Sequence, residues 1–497
     1  KGFCFRILVE IAAVAWVALA FIDRRYRPRF SWTFVLYGAL VAWMFVADLL
    51  AVNPHKAFWS NFERMDGFVT LIHVFLFFVV AGSVLSVDKL WRKWWLTFVA
   101  VSALVCGYAL LQLSGGIPIN QGGVRVDGTF GNAIYLAVYL MFAAFISVWQ
   151  AFESKGWLRH MLLALAGLQV IILFNTASRG AILAVVGASG LAALLWMMES
   201  GKRGRMRAAA LLAALLILVG GFWLAKDNDW ITAHPIWGRI ASISLDELQV
   251  RFTLWNMAID GIVERPLVGY GHEGFNYVFN SEYRPELYVQ EPWFDRAHSA
   301  FVDWMVVGGI PAFLLFVSLL FVAALALYRS PAVTPLERIM LGAALAAYAL
   351  QALVVFDNLF SYIPLAAILA YIHHRSSHPI TALDVLPATG KGQAQAIIMP
   401  VAGAVAIFLI LTVNMPSMRA ANDLVYAISP IQGGPSENKA RFEKALSDDS
   451  FATQEIREQL VNYAANLASQ QNVPEQLRGE FVMLAIAEMN KEIERAP

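Results

Sequence analysis

Long apolar runs separated by short polar connections follow one another along most of the chain. An apolar stretch of about 20 residues crosses the ~30 Å hydrocarbon core of a bilayer as a helix, so the pattern predicts about twelve membrane-spanning helices. The runs lie at 5–22, 31–51, 67–86, 94–113, 129–151, 158–174, 179–198, 208–225, 299–327, 336–356, 361–373 and 396–413. The run at 361–373 is short and needs flanking residues to span. The pattern predicts an all-α polytopic membrane protein.

Two long polar segments, one within the apolar series and one after it, define the domain organisation. They divide the chain into N-terminal transmembrane helices at 1–225, a large loop at 226–298, C-terminal transmembrane helices at 299–414 and a polar domain at 415–497. In this last domain, helices are predicted at 437–446, 453–469 and 475–493. Apolar residues recur there at helical spacing, as at Leu460, Tyr463, Ala464 and Leu467. The domain is similar to tetratricopeptide repeats, with room for about two units. We interpret it as a packing domain or a docking domain for a protein partner.

Basic residues are concentrated in every second connection. They are Arg24, Arg25, Arg27 and Arg29; Lys89, Arg92 and Lys93; Lys155 and Arg159; and Lys202, Arg203, Arg205 and Arg207. Because Lys and Arg in short connections stay on the cytoplasmic side, the segments 52–66, 114–128, 175–178 and 226–298 are predicted to lie outside. The same parity places the first residue outside. Since that residue is Lys1 and not methionine, we expect an earlier helix or signal to be missing.

Composition agrees with a membrane protein and excludes a water-soluble globule. The chain is 59% hydrophobic and 15% charged, with a mean hydropathy of +0.59. The net charge of +1 gives no indication of a nucleic-acid partner, and none is expected. Cys4 and Cys106 lie in or beside apolar runs, so neither a disulfide framework nor a metal site is predicted.

Arg179 is the first candidate for chemistry. It lies in the polar turn NTASRG at 175–180, where an apolar helix begins on the predicted outer side. Backbone N–H groups at a helix N-terminus, combined with a guanidinium, form an anion site. The alternative is an arginine that only extends from a membrane helix to the interface.

Arg251 is the second candidate, on an amphipathic helix predicted at 246–263 within the large loop. The apolar side of that helix carries Leu254, Trp255, Ala258, Ile259 and Ile262. Arg251 and Trp255 are four residues apart, so they share a face on which they can stack, with a plain surface pair as the alternative. Pro266 ends the helix. The glycines that follow would let the backbone approach a ligand closely; they are Gly269, Gly271 and Gly274.

His298 is the third candidate, at the junction between the large loop and the next apolar run. A side chain that accepts a proton near neutral pH is useful at such a boundary, although most lone histidines are structural. Asp295 and Asp303 are the two candidates to orient it.

The order of these features resembles the O-antigen ligase superfamily, which also contains O-antigen polymerases and bacterial protein O-oligosaccharyltransferases. The matching features, in order, are Ser178-Arg179-Gly180, Arg251 with Trp255, Pro266 followed by Gly269, Gly271 and Phe275, and His298-Ser299 leading into a helix with Gly308-Gly309. The resemblance covers roughly residues 30–375, including the helix number and the large loop. The C-terminal helical domain is not part of the minimal ligase pattern, so the acceptor stays open.

The resemblance implies a fold similar to the glycosyltransferase C superfamily, in the bacterial cytoplasmic (inner) membrane with the active site facing the periplasm. It implies that Arg179 and Arg251 bind the pyrophosphate of an undecaprenyl-pyrophosphate-linked glycan, and that His298 acts on the acceptor hydroxyl as general base or positions it. Asp357 resembles an acidic position near the family's site. No cofactor, nucleotide sugar or metal is implied. The acceptor would be a lipid core, as in lipopolysaccharide biosynthesis, a growing cell-envelope polysaccharide or a protein.

Elementary chemistry is compatible with these roles. A glycosyl pyrophosphate already carries a stable leaving group, so the protein has to stabilise charge on the diphosphate, which permanently charged arginines do. Two other classes remain open. A flippase or other transporter for lipid-linked glycans would show internal repeats and helices broken at mid-membrane, whereas polar residues here concentrate at one face. A scaffold would account for the C-terminal helices and not for the polar loop.

Overall fold

The structure is a computed structural model that describes residues 1–120, 123–242, 245–288, 293–385, 387–448 and 450–495. Parts of four predicted segments therefore lie outside the described residues: 121–122 of the connection 114–128, 243–244 and 289–292 of the large loop, 386 of the segment 299–414, and 449 and 496–497 of the C-terminal domain.

The first half of the described chain is almost entirely helical. Its helices are α1 (Gly2–Ile22), α2 (Trp32–Leu49), α3 (Pro54–Trp59), α4 (Phe68–Val84), α5 (Asp88–Leu113), α6 (Ala133–Glu153), α7 (Gly156–Asn175), α8 (Arg179–Glu199) and α9 (Lys202–Ala225). The large loop contains α10 (Asp229–Thr232), α11 (Pro235–Ala241), α12 (Leu245–Glu264) and α13 (Phe275–Ser281). The predicted amphipathic helix is thus present as α12.

The second half continues in the same way. Its helices are α14 (Ala300–Arg329), α15 (Pro335–Ala352), α16 (Leu359–Ser376), α17 (Thr381–Asp384), α18 (Lys391–Gln393), α19 (Met399–Leu409), α20 (Met415–Ile428), α21 (Pro435–Ser447), α22 (Thr453–Ala468) and α23 (Glu475–Arg495). Two short strands, β1 (Arg29–Phe30) and β2 (His378–Pro379), pair antiparallel, with Arg29 opposite Pro379.

All twelve predicted apolar runs are helical, and the all-α polytopic architecture is confirmed. Among the described residues, nine helical stretches are long and apolar enough to cross a membrane by length and composition: α1, α2, α5, α6, α7, α8, α9, α14 and Ala394–Ile428. The helix α4 is apolar but has only 17 residues. The remaining two, α15 and α16, do not qualify on their own. The inner two thirds of α16 are buried against other helices, so this helix does not need the apolar outer surface of a helix that faces lipid.

The centre of the bundle is α6, which is buried along almost its whole length and packs against α7, α15 and α16. Successive helices run in opposite directions. As a result, the starts of α6, α8, α14 and α16 lie at the same end of the bundle as the end of α15. This end also carries the helices of the large loop.

A break in α14 ties the large loop to the bundle. Gly309 has a φ of +70°, outside helical geometry. The carbonyl groups freed by this break accept hydrogen bonds from the N–H groups of Tyr270 and Gly271, at 2.8 and 2.9 Å, and Ile310 N donates to the Pro266 carbonyl at 2.8 Å. Irregular backbone at this depth is tolerated because it is paired within the protein. The glycine-rich turn therefore approaches protein backbone, not a ligand as expected.

Replacing Gly309 with alanine should destabilise the protein. A Cβ at this position would overlap the Leu267 carbonyl oxygen, and the positive φ disfavours any L side chain. The strained backbone conformation alone should lower the free energy of unfolding of the alanine variant by about 1–3 kcal/mol. Thermal unfolding in detergent measures the effect. The control is Gly220→Ala in α9, where the added Cβ meets nothing within 4 Å. Equal stability of the two variants would contradict the expectation.

The three helices predicted after residue 430 are present as α21, α22 and α23, and they pack around a core of their own. Leu460, Ala464 and Leu467 are buried in it, and Tyr463 packs at its edge. The domain contacts the end of α3, where the ring of Phe451 stacks on Trp59 with centroids 5.7 Å apart. It therefore sits at the end of the bundle that carries the large loop.

Candidate active site

A cavity of about 390 Å³ lies where α8 begins and α15 ends. Its described lining residues are Arg125, Ile134, Ala177, Ser178, Arg179, Gly180, Arg239, Val250, Arg251, Leu254, Phe294, His298, Gln351 and Val355. Four of them are arginines, and none of them is a carboxylic acid. We call this space the arginine cavity. The structure brings together the three residues that the sequence predicted to meet, Arg179, Arg251 and His298.

Arg179 is the first residue of α8, preceded by Ser178 as N-cap. Its Nε donates to the carbonyl of Arg239 at 2.7 Å and its Nη2 donates to the Ser242 hydroxyl at 3.0 Å. Ala177, also in the cavity wall, has a φ of +50°. Strained non-glycine residues are retained where the surrounding structure requires them, often at functional sites. Arg179 is therefore held at the cavity by the large loop and does not simply extend to the interface.

Arg251 projects from α12, and its Nη1 donates to the Val354 carbonyl at 2.6 Å, beyond the end of α15. Burial lowers the pKa of this guanidinium, which nevertheless stays charged. The expected stacking with Trp255 is replaced by another contact: the indole Nε1 donates to the Ala297 carbonyl at 3.0 Å. Trp255 thus fixes the residue next to His298. Ile259, expected on the apolar side of the helix, is 53% exposed.

His298 is held in a left-handed conformation, with a φ of +56°. Its Nδ1 donates to the Arg296 carbonyl at 3.1 Å. The rings of Phe294 and Phe356 contact the imidazole edge-on, with ring centroids 5.5 and 5.4 Å from its own. With the proton on Nδ1, the other nitrogen is left as an acceptor. Burial lowers the pKa of His298. The hydrogen bond to Arg296 opposes this shift, and the charge of Arg251 adds to it. The imidazole is therefore neutral, and able to take a proton, at neutral pH.

Neither aspartate that was considered for orienting His298 contacts its ring. Asp295 pairs with Arg64 at 2.7 Å. Asp303 accepts a hydrogen bond from the N–H of Ala297 at 2.9 Å, so it shapes the backbone beside His298. Asp303 therefore holds the turn before α14 in position, because it supplies the acceptor that this N–H group needs.

Behind this turn is a buried network centred on Arg296. Its guanidinium donates to Asp66 at 3.0 Å and to Glu273 at 2.7 Å, and all three residues are buried. Burial raises the pKa of Asp66 to about 6, and the charge of Arg296 limits this rise. A second, smaller cavity of about 20 Å³ adjoins the network. The network joins the α3–α4 connection, the large loop and the turn that carries His298.

Asp357 belongs to the smaller cavity and does not line the arginine cavity. It accepts hydrogen bonds from the hydroxyl groups of Tyr348 and Ser361, both at 2.7 Å. These contacts connect α15 to the start of α16. The structure therefore places Asp357 behind the turn of His298, in a supporting position.

Two arginines of the cavity were not predicted as site residues. Arg125 precedes α6, and Arg239 is on α11, 114 positions later in the chain. One signal was present for Arg125, because it is one of few basic residues in the predicted outer connections. Nothing in the local sequence distinguishes Arg239, since only the folding of α11 over α8 brings it to the cavity.

One comparison with known proteins identifies a family. Residues 161–317 match the family model described as O-antigen ligase, and this segment contains Arg179, Arg251 and His298. Arg125 and Asp357 lie outside it. The search of curated proteins finds no match to this sequence. The predicted resemblance is confirmed for this segment: over residues 161–317, this polytopic all-α protein is similar to the O-antigen ligase family.

Proposed function

We propose that this protein is a glycosyltransferase that moves a glycan from a lipid-linked diphosphate, undecaprenyl pyrophosphate, to an acceptor hydroxyl at the outer face of the bacterial cytoplasmic membrane. One observation carries the proposal: a single cavity is lined by Arg179, Arg251 and His298 and by no described carboxylate. Such a cavity suits an anionic leaving group and an approaching hydroxyl.

In the proposed reaction, the acceptor oxygen forms a bond to the anomeric carbon of the donor. The bond from that carbon to the diphosphate oxygen breaks, and the diphosphate leaves with the electron pair. The hydroxyl proton passes to the unprotonated nitrogen of His298. Arg179 and Arg251 stabilise the charge that develops on the leaving group, in a site where preorganised donors need no rearrangement. On this proposal the arginines supply the positive charge and no metal is required.

Two features of the chain support the proposed location. The isoprenoid chain can lie against the membrane helices while its diphosphate enters the cavity at the end of the bundle. The basic connections lie at the opposite end, which supports a position of the cavity on the outer side by the charge rule for membrane proteins. The acceptor, whether a lipid core, a growing polysaccharide or a protein, is left for the assay to identify.

Replacing either Arg179 or Arg251 with glutamine should lower transfer about 10- to 100-fold, because each removes a charged hydrogen-bond donor from the diphosphate. The assay uses purified full-length protein in detergent, a synthetic undecaprenyl-pyrophosphate glycan and a panel of lipid-core, glycan and peptide acceptors. Acceptor-dependent release of undecaprenyl pyrophosphate is measured. A transporter would show no such release.

The matched control is Arg284→Gln. Arg284 lies in the same loop and pairs with Asp260 at 3.2 Å, with both side chains about half exposed. Its replacement should leave transfer unchanged. Wild-type rates in both Arg179→Gln and Arg251→Gln would overturn the proposed function.

A further inference from the structure

One part of the wall of the arginine cavity has a composition that the diphosphate alone does not explain. This wall is formed by Arg125, on the segment before α6, and Arg239, on α11. A diphosphate diester carries one negative charge on each phosphate, which Arg179 and Arg251 balance. Arg125 and Arg239 add two further positive charges to the same space.

Hydrogen bonds within the protein fix the position of Arg125 and leave some of its N–H donors unused. Its Nε donates to the Thr176 carbonyl at 3.0 Å and its Nη2 donates to the Ser178 hydroxyl at 3.4 Å. A guanidinium has five N–H groups, so these bonds orient the side chain and leave the others for a ligand. Arg125 is half-buried and packs against the turn that starts α8.

Arg239 is exposed, and among the described residues its guanidinium has no hydrogen-bonding or ionic partner. Its backbone carbonyl accepts the hydrogen bond from Arg179, which fixes the position of α11 against the cavity. Arg125 has other arginines as neighbours. Burial lowers its pKa, and the charges of Arg239 and Arg179 lower it further. Like charges this close repel one another, and a bound anion relieves that repulsion.

The four arginines are close to one another, and one of them is close to His298. Arg251 is near His298, because its charge lowers the pKa of that imidazole. Arg179 contacts the α11 segment through Arg239 and Ser242. The charges of Arg239 and Arg179 lower the pKa of Arg125. Arg125 and Arg239 are thus both joined to the start of α8: Arg125 donates to the Ser178 hydroxyl, and the Arg239 carbonyl accepts from Arg179.

We propose that Arg125 and Arg239 form a second anion subsite, which binds a phosphate or carboxylate group carried by the transferred glycan or by the acceptor. The inference rests on the proposed function and adds a substrate class to it: one of the two substrates is itself acidic beyond the donor diphosphate. Arginine suits both ligands because its fork of donors matches phosphate and carboxylate oxygens.

Binding measurements on the full-length protein separate the two subsites. The protein is first saturated with farnesyl pyrophosphate, which occupies the subsite of Arg179 and Arg251, and is then titrated with glucose 6-phosphate, glucuronate or glucose by calorimetry. We expect glucose 6-phosphate and glucuronate to bind the saturated protein and glucose not to bind. Arg239→Gln should weaken this second binding about tenfold, and Arg125→Gln with Arg239→Gln should abolish it.

The controls distinguish this inference from the proposed function. The double variant should bind farnesyl pyrophosphate with wild-type affinity, Arg179→Gln should lose it, and Arg284→Gln should change neither ligand. Absence of farnesyl pyrophosphate binding in the wild type would remove the proposed function. If that ligand binds and glucose 6-phosphate competes with it, does not bind at all, or binds the double variant normally, the second subsite is overturned and the proposed function stands.

A transfer assay then identifies which substrate carries the acidic group. Donors with a neutral or an acidic glycan are compared, and separately acceptors with or without a phosphate. Arg239→Gln should raise the KM about tenfold for the acidic member of one pair only, and Arg239→Lys should recover part of the loss. An equal change for neutral and acidic members of both pairs would contradict recognition of a second anion.

Discussion

Replacing His298 with glutamine is expected to lower glycan transfer by about 10²–10⁴-fold, the usual contribution of a general base. Glutamine retains polarity and approximate length but cannot take the acceptor proton. The contacts around His298 hold its ring between Phe294 and Phe356 and direct one nitrogen to the Arg296 carbonyl, so the other nitrogen is available. Binding of the donor diphosphate should be unchanged, because Arg179 and Arg251 remain. The loss should therefore appear in kcat.

The pH dependence gives a second test of the same role. Because the pKa of His298 is lowered from its ordinary value of about 6.5, the base form persists below neutrality. Transfer should be constant through neutral pH and should fall only as pH drops through the lowered pKa. This acidic limb should be absent from the residual activity of His298→Gln. The control His160→Gln, an exposed residue at the other end of the bundle, should keep both rate and pH profile. Wild-type kcat in His298→Gln would eliminate the general-base role.

Replacing Arg296 with methionine should reduce the free energy of unfolding by about 3–5 kcal/mol, the effect of breaking a buried ion pair. Arg296 is 5% exposed and pairs with Asp66 and Glu273, which are also buried. Methionine fills part of the volume but leaves two carboxylates without a counter-charge. The network also carries the turn of His298, so transfer should fall with stability.

Thermal unfolding in detergent measures the change. Arg284→Met is the matched control, and its half-exposed pair with Asp260 should contribute less than about 1 kcal/mol. Combining Arg296→Met with Asp66→Asn and Glu273→Gln should recover much of the stability, because no buried charge then lacks a partner. A single Arg296→Met variant as stable as the control would show that the network does not hold this turn in place.

Sequence reasoning predicted the helices well because the membrane leaves few alternatives. An apolar segment in lipid has to satisfy its own backbone hydrogen bonds, so each long run, such as 129–151, becomes a helix close to the predicted limits. The amphipathic helix at 246–263 and the C-terminal helices were also predictable, since their apolar residues recur at helical spacing. Ile259 was assigned to the wrong side, because periodicity describes a helix face and not what covers each position along it.

The candidate site was predicted in part. Arg179, Arg251 and His298 were found because each lies at a local boundary, at a helix start, on an amphipathic helix or at the edge of an apolar run. Trp255 and Asp303 were recognised as relevant, but their contacts were not, since both bind the backbone of Ala297 and not the side chains expected. Asp357 was expected near the site and proves to support the turn from behind.

The sequence by itself determined the helical segments and three of the residues at the cavity, because those features depend on local composition and spacing. Only the tertiary structure decided that Arg125 and Arg239 join them, that the glycine-rich turn pairs with a break in α14, and that Arg296 anchors the turn of His298. These contacts join residues far apart in the chain. They depend on which helices pack side by side, and spacing along the sequence does not specify that packing.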